Sequence, residues 1–385
     1  MGESMSILVV DDNKVNLFVI ETILKQAGYK DISLAKSSNE MIHILEEDLS
    51  KNLGKSSYDL ILLDIMMPEI DGIEACRRIT ATEEYKDIPV IFVTALGDTH
   101  KLAEALDAGG SDYIMKPINK VELLARIRAA LRLKEEKDWH KNQEEKIGLE
   151  LDLATKVQRS LLSEPILNDR IKITRSYKPS FNLAGDMYYW QQIDQDRYAI
   201  FMFDMMGHGI PASLVCMYVS SILREAMRNL VDPEKVILEL NRCMTLLEEK
   251  TKLTSYYLTG IYMLINTKTK TIEYVNAGHP PGYLYIDGNE LIEMGQRNIA
   301  VGFFENMNVN KTTISYNDSF QALIFTDGVL EAINDDEDKA LAHIEQIGRH
   351  QWSDQEALSP LNVILPEEKQ ANQHDDMCVV LVRGY

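Results

Sequence analysis

The order of apolar and polar positions divides this chain into two patterns joined by a third. Up to about residue 121, short apolar runs alternate with helical stretches. The runs are Ser6–Val10, Leu60–Leu63, Val90–Val93 and Tyr113–Met115, with a weaker one near Ile32–Ala35. One helical stretch is Val15–Ala27, ended by Gly28. This alternation predicts βαβ units on a doubly wound, parallel, five-stranded sheet. From about residue 165 strands dominate: Ile171–Tyr177, Arg197–Phe203, Tyr256–Ile265, Thr271–Val275, Gly282–Ile286 and Phe320–Phe325. Two helices interrupt them. One starts at Pro211 and ends near Asn229; the other, with Asp232 as N-cap and Pro233 at its first position, ends near Lys250. Strands around a helical pair predict an α/β sandwich of two mainly antiparallel sheets flanked by helices.

The segment between follows neither pattern. Asn119 can cap a helix through Val121, Leu124, Ile127 and Leu131, after which the chain is strongly charged from Lys134 to Lys146. Apolar spacing of three and four returns at Ile147, Leu151, Ala154, Val157 and Leu161. No proline interrupts Asn119–Glu164 and Gly148 is its one glycine, which favours one long helix or two in tandem. The spacing is coiled-coil-like at both ends with a polar middle, and predicts a homodimer seam that carries a signal between the domains. The expected division is 1–121, a helical linker 122–165, and 166–385.

Bulk properties narrow the function. A length of 385 residues with 45% hydrophobic content suits two folded domains and a connector. The formal net charge of −20 disfavours nucleic acid as a partner. Cys76, Cys216, Cys243 and Cys378 form no Cys-x-x-Cys pair, so neither zinc nor a disulfide framework is expected, and a reducing compartment fits. The most apolar runs, Leu60–Met67 and Tyr198–Met206, are short and each holds an aspartate, so no bilayer span and no membrane partner is expected. With no signal peptide apparent, the expected location is cytoplasmic.

The chemistry gathers at strand ends, where α/β sheets bind ligands. Asp11 and Asp12 follow the first strand, Asp64 the third, Thr94 ends the fourth and Lys116 follows the fifth. Three carboxylates on one rim repel one another unless a cation sits among them, and an all-oxygen cage suits Mg²⁺. Asp64 could then accept a phosphoryl group as nucleophile, with Lys116 and Thr94 holding the phosphoryl oxygens. In the second half, Gly185-Asp186 is placed after a β segment, Asp204 through Gly209 after an apolar strand, Thr326-Asp327-Gly328 after Ala322–Phe325, and Asp375-Asp376 before Met377–Val382. Carboxylates without His or Cys companions suit Mn²⁺ or Mg²⁺. Two such ions about 3.5–4 Å apart can activate a water and clamp phosphoryl oxygens. The plainer alternative is that each Asp-Gly only serves its turn.

Asp11-Asp12, the run from Leu63 through Asp64 to Gly72, Thr94-Ala95 and Lys116-Pro117 resemble the bacterial response-regulator receiver domain. The resemblance implies phosphotransfer onto Asp64 from a histidine kinase or phosphotransfer protein, with Mg²⁺ at Asp11, Asp12 and Asp64. It also implies that Thr94 turns toward the phosphoryl group, that Tyr113 changes rotamer, and that Lys116–Pro117 is cis. The remainder, through Leu153–Leu162, Asn276–Pro281, Thr326–Ala332 and the aspartates, resembles the metal-dependent PPM-type serine/threonine phosphatases. Within them it is most similar to the bacterial branch acting on anti-sigma-factor antagonists. That resemblance makes Asp204 the bridging ligand of a two-ion Mn²⁺ or Mg²⁺ site, with the Met205 carbonyl a companion. Asp186, Asp327 and Asp375 would be the remaining ligands, Asp376 standing too close to Asp375 to be separated from it. His208 is the candidate general acid, and His279 a structural or substrate-facing residue rather than a ligand. Ala184, Tyr189 and Cys378 depart from the family's usual Gly, Asp and Thr, which touches the ligands' surroundings but not the carboxylates. The expected protein is a response regulator whose output is hydrolysis of phosphoserine or phosphothreonine on an anti-sigma-factor antagonist. A non-enzymatic, phosphorylation-controlled binding module is the rival, and the retained aspartates argue against it.

Overall fold

Strands whose residues are apolar at every position must be covered on both faces, and the first unit is built that way. The computed structural model describes residues 5–52, 56–95, 99–251, 256–295, 298–334, 336–370 and 375–385. The chain divides into two units, Met1–Ile147 and Gly148–Tyr385. The first unit runs β1 (Ser6–Val10), α1 (Lys14–Gln26), β2 (Asp31–Ala35), α2 (Ser38–Lys51), β3 (Leu60–Leu63), α3 (Gly72–Ala81), β4 (Val90–Thr94), α4 (Thr99–Asp107), β5 (Asp112–Met115) and the start of α5 (Lys120–Ser160). The five strands are parallel in the order β2-β1-β3-β4-β5. Leu8, Val10, Ile61, Leu63 and Phe92 pack on one side with Met41, Leu45, Ile73 and Ile79 of α2 and α3. Ile7, Val9, Leu60, Leu62 and Ile91 pack on the other with Leu17, Ile20 and Leu24 of α1.

Helix α5 is a single helix of 41 residues that starts in the first unit and ends in the second. Asn119 caps it, its Oδ1 accepting from the Val121 N–H at 2.9 Å. Of the expected stripe Val121, Leu124, Ile127 and Leu131, the last two are buried with Leu123 in the core beside β1, β3 and β4, Leu124 is partly buried and Val121 is exposed, so this end of the helix completes the first unit. The polar middle carries the ion pairs Arg132–Glu136 and Lys134–Asp138 along the helix.

The second unit continues with β6 (Ile166–Leu167), β7 (Ile171–Lys178), β8 (Asp186–Gln192), β9 (Arg197–Met205), α6 (Gly209–Asn229), α7 (Pro233–Thr251), β10 (Leu258–Asn266), β11 (Thr271–Ala277), β12 (Gly282–Ile286), β13 (Glu290–Met294), β14 (Thr312–Ser315), β15 (Phe320–Phe325), α8 (Asp327–Ile333), α9 (Glu337–Gly348), α10 (Asp354–Ala357), α11 (Pro360–Ile364), α12 (Glu367–Gln370) and β16 (Met377–Gly384). One sheet has the order β14-β11-β10-β9-β8, the other β13-β12-β15-β16-β7-β6, and their strand pairs are antiparallel. Alternation fixes three layers of core. Tyr188, Trp190, Ile200, Met202, Ile261 and Met263 of the first sheet face Ile173, Leu284, Ile324, Val380 and Val382 of the second. Phe201, Phe203 and Tyr262 turn outward onto Cys216, Val219 and Leu223 of α6 and Ile237 and Leu240 of α7. Leu323, Phe325, Val379 and Leu381 turn outward onto α8, α9 and α11.

Two expectations are corrected. Asp186 does not follow a strand; it opens β8, and the residues before it form a turn held by side chains. Helix α6 is long and apolar enough by composition to cross a bilayer, although the chain's most apolar short runs lie elsewhere. Ala212, Cys216, Val219, Leu223 and Met227 on one face of it are buried in the core, as a helix packed on a sheet requires.

Candidate functional site

Two groups of carboxylates occupy strand ends, one in each unit. In the first, Asp11 follows β1 and Asp64 follows β3, the adjacent central strands where the winding direction reverses. Asp11, Asp12 and Asp64 each bring a carboxylate oxygen within 4.8 Å of the others, the one such group among the described residues. Lys116 reaches over the sheet edge from the end of β5, its Nζ 2.8 Å from Asp11 Oδ2 and 2.9 Å from Asp64 Oδ2. Asn16 Nδ2 and the Asn13 N–H also donate to Asp11. Burial raises the Asp64 pKa, offset in part by Lys116. Burial works against the Lys116 ammonium, yet its bonds to Asp11 and Asp64 carry its pKa up. Asp64 Oδ1 is buried with no hydrogen-bond partner. An orphaned carboxylate oxygen between two further carboxylates fits a hard cation.

The surroundings fix this geometry. Gly72 opens α3 against the Asp64 backbone, where a Cβ would stand 2.1 Å from the Asp64 carbonyl oxygen. Thr94 is fully buried at the end of β4. Tyr113 is half-buried on β5, with the Arg126 guanidinium 5.9 Å from its ring centre. The Lys116–Pro117 bond is cis.

In the second unit both sheets contribute at one end of the sandwich. Asp186 and Asp204 are direct cross-strand partners on β8 and β9. Asp327 begins α8 just past β15, and Asp375-Asp376 lead into β16, the partner of β15. Burial, then the charge of Asp204, pushes the Asp186 pKa well up. Asp204 is pushed up to about 8 by burial and by Asp327 and Asp375, and Asp327 is raised by burial and Asp375. Asp186 Oδ2 is buried without a partner, the same signature as in the first unit. Like charges crowded in a dry site with an unfilled oxygen fit divalent metal ions.

Asp375 and Asp376 do different things. Both oxygens of the buried Asp376 are occupied: Oδ1 accepts from the Ser180 N–H at 2.7 Å and the Ser180 hydroxyl at 2.9 Å, and Oδ2 from the Gly185 N–H at 2.7 Å. Asp375 is half-buried, and its charge acts on Asp204 and Asp327. Gly328 is required beside them, because a Cβ there would stand 2.1 Å from the Asp376 carbonyl oxygen.

His208 is exposed as the N-cap of α6, with no capping bond from its side chain, and stacks on Phe181 at 5.4 Å. His279 is fully buried. Its Nδ1 lies 2.9 Å from the Thr259 hydroxyl and its Nε2 3.1 Å from the Phe325 carbonyl, so it ties the two sheets together next to Asp327. Burial lowers its pKa to about 4, which keeps the ring neutral. The Met205 carbonyl lies by Gly185, 3.2 Å from where a Cβ would be.

Gln158, Thr155, Tyr177 and Thr326 also hold the site, although the sequence assigns none of them a role in it. Gln158, buried on α5, donates to the Ala184 carbonyl at 2.8 Å and accepts from its N–H at 3.1 Å. Thr155 donates to the Asn182 carbonyl. Tyr177 donates to the Asp186 carbonyl, and the Thr326 hydroxyl accepts from the Cys378 N–H while easing the Asp186 charge. The polar Gln158 on an otherwise apolar helix face was the one available signal.

Comparisons with known proteins agree with both halves. Residues 7–128 match the family model of the response regulator receiver domain, and residues 194–384 that of stage II sporulation protein E (SpoIIE). The chain is thus a response-regulator receiver domain joined to a SpoIIE-type domain with the PP2C fold. It is 31% identical over 243 residues to phosphoserine phosphatase RsbP of Bacillus subtilis, covering 60% of this chain and 57% of RsbP. Through the receiver it is 39% identical over 142 residues to the transcriptional regulatory protein YvrH of the same organism, covering 37% of this chain and 55% of YvrH. The chain thus spans little more than half the length of these relatives. The solved SiaA-PP2C domain of Pseudomonas aeruginosa shares the fold, with 20% identity, a TM-score of 0.51, and coverage of 63% of this chain and 99% of that one.

Proposed function

We propose that this protein is a response regulator whose output is metal-dependent phosphoserine/phosphothreonine protein phosphatase activity, gated by phosphorylation of Asp64. The observation that carries the reading is the crowding of Asp186, Asp204, Asp327 and Asp375 at one end of the sandwich, with Asp186 Oδ2 orphaned. The relative RsbP is named a phosphoserine phosphatase, which supports the same reading. Asp204 would bridge two Mn²⁺ or Mg²⁺ ions, with Asp186, Asp327, Asp375 and the Met205 carbonyl completing the donors. When bound, such ions supply Lewis acidity that activates water and neutralises phosphoryl oxygens. Asp376 holds the 180–185 turn rather than a metal, because its oxygens are already occupied. His208, exposed at the N-cap of α6, would give a proton to the leaving serine oxygen.

In the receiver, Asp64 would take the phosphoryl group from a histidine kinase or phosphotransfer protein, beside Mg²⁺ held with Asp11 and Asp12. Lys116 would neutralise the phosphoryl oxygens, and Thr94 and Tyr113 would report the change. Helix α5 is the covalent route between the units, and through Gln158 and Thr155 it grips the turn that precedes Asp186. The substrate is proposed to be a phosphorylated anti-sigma-factor antagonist. The division into receiver, helical linker and phosphatase, a homodimer through the exposed part of the linker and a cytoplasmic location belong to the same proposal. Asp204→Asn tests the reading: it should abolish Mn²⁺- or Mg²⁺-dependent phosphate release from a phosphoserine protein, and full activity in that variant would end it.

A further inference from the structure

The last turns of α5, the 177–183 segment and the turn at His208–Ile210 enclose a cleft of about 1100 Å³, open to solvent. It lies wholly within the second unit and shares its walls with the carboxylate site. Ser180 in one wall is fixed by Asp376, and that wall runs on to Asp186. His208 in the other wall lies just past Asp204 on the chain. The volume suits a stretch of polypeptide more than a lone phosphate group.

The cleft is chemically uneven. Its floor is apolar: Phe181 is 55% exposed, stacked on His208, and Ile210 is 51% exposed beside it. Its helical wall carries Lys156 and Arg159, three residues apart and so on one face of α5, with the single carboxylate Asp152 one turn before Lys156. Both are exposed, and among the described residues neither side chain makes a hydrogen bond or ion pair. Lys178, by contrast, is spent on the Gln370 carbonyl at 2.6 Å. The helix face next to them is anchored, since Thr155 and Gln158 bond to Asn182 and Ala184, so the two cations are presented from a fixed frame. In a chain of net charge −20, this wall, with two cations against one carboxylate, is locally positive and complements an acidic segment.

We propose that this cleft docks an extended segment of the phosphorylated protein substrate that carries acidic residues next to the phosphoserine. Lys156 and Arg159 receive the acidic side chains while the Phe181–His208 stack receives an apolar one. The proposal deepens the phosphatase reading and rests on it.

The test uses the full chain with Mn²⁺ and three phosphoserine peptides of equal length whose flanks hold Glu, Gln or Lys. The Glu-flanked peptide should be hydrolysed with the highest kcat/KM, exceeding the Lys-flanked one by about tenfold at low salt, the margin shrinking as salt is raised. The double variant Lys156→Glu/Arg159→Glu should invert that order. Binding of the same labelled peptides, followed by fluorescence anisotropy, reads docking apart from turnover. Equal kcat/KM and equal binding for all flanks, unmoved by the charge reversal, would overturn the docking proposal while leaving the phosphatase intact. Binding in the expected order without hydrolysis would uphold the docking and overturn the phosphatase reading. A cleft filled by a second copy of the chain would show as no peptide binding at protein concentrations that give dimers, and would overturn the docking.

Discussion

Asp375 and Asp376 stand side by side, and the structure gives them opposite consequences when each is changed to asparagine. The buried carboxylate of Asp376 accepts three hydrogen bonds, from two backbone N–H groups and one hydroxyl. In Asp376→Asn one of those donors would face an amide NH₂ instead of an oxygen. A buried donor left unpaired costs about 1–3 kcal/mol, and hydrogen bonds to a charged acceptor contribute about 1.5–3 kcal/mol each. A net loss of about 2–4 kcal/mol follows. For a domain of this size each kcal/mol moves Tm by about 2–4 °C, so the second domain should melt roughly 4–16 °C lower. Asp375→Asn removes a like charge from Asp204 and Asp327 and breaks no buried network of that kind. Its metal-free Tm should stay level or rise, while metal affinity and phosphate release fall steeply. Calorimetric melting in a chelator, paired with Mn²⁺ titration of the same samples, reads both quantities. The reverse pattern would refute the division of labour: Asp376→Asn losing metal with its stability intact, or Asp375→Asn melting early with its metal retained.

Metal-free protein should lose stability as pH rises from about 4 to 8. Asp204 keeps a proton in the folded state up to about 8 that the unfolded chain releases near 4, and each such proton costs about 1.4 kcal/mol per pH unit across that window; saturating Mn²⁺ should flatten the slope, as Tm against pH with and without metal will show. Asp64→Asn should raise the metal-free Tm of the receiver, because burial opposes the Asp64 charge. It should also erase the gain from Mg²⁺, about 2.7 kcal/mol in the wild type at a hundredfold excess over Kd; thermal melts with and without Mg²⁺ measure both. Gly328→Ala must push a Cβ into the Asp376 carbonyl oxygen, so the second domain should unfold at lower denaturant concentration and bind Mn²⁺ more weakly.

Much of this was legible in the amino-acid order because the chemistry sits where strand patterns end. Runs such as Leu60–Leu63 announce buried parallel strands, and Asp11, Asp64, Thr94 and Lys116 fall at their carboxyl ends, so fold and site could be read together. The failures are equally specific. β8, Asp186–Gln192, is rich in aromatic and polar residues and lacks a clean alternation, so the pattern does not announce a strand that starts at Asp186. The stripe Val121, Leu124, Ile127 and Leu131 has coiled-coil spacing, yet periodicity does not say whether a partner helix or the chain's own sheet will cover Ile127 and Leu131. Asp375 and Asp376 are chemically identical and both act by charge on the other carboxylates; only the positions of Ser180 and Gly185, far away in sequence, give Asp376 the further work of holding a turn. Gln158 and Tyr177 act through backbone carbonyls of the 182–186 segment, contacts whose partners the amino-acid order does not name.

The most direct measurement is Mn²⁺-dependent phosphate release from a phosphoserine protein by the full chain, with and without beryllofluoride on Asp64. Release that requires metal, disappears in Asp204→Asn and changes in rate with beryllofluoride is the expected result. A folded, metal-loaded protein that releases no phosphate in either state would contradict it and leave the second domain as a binding module.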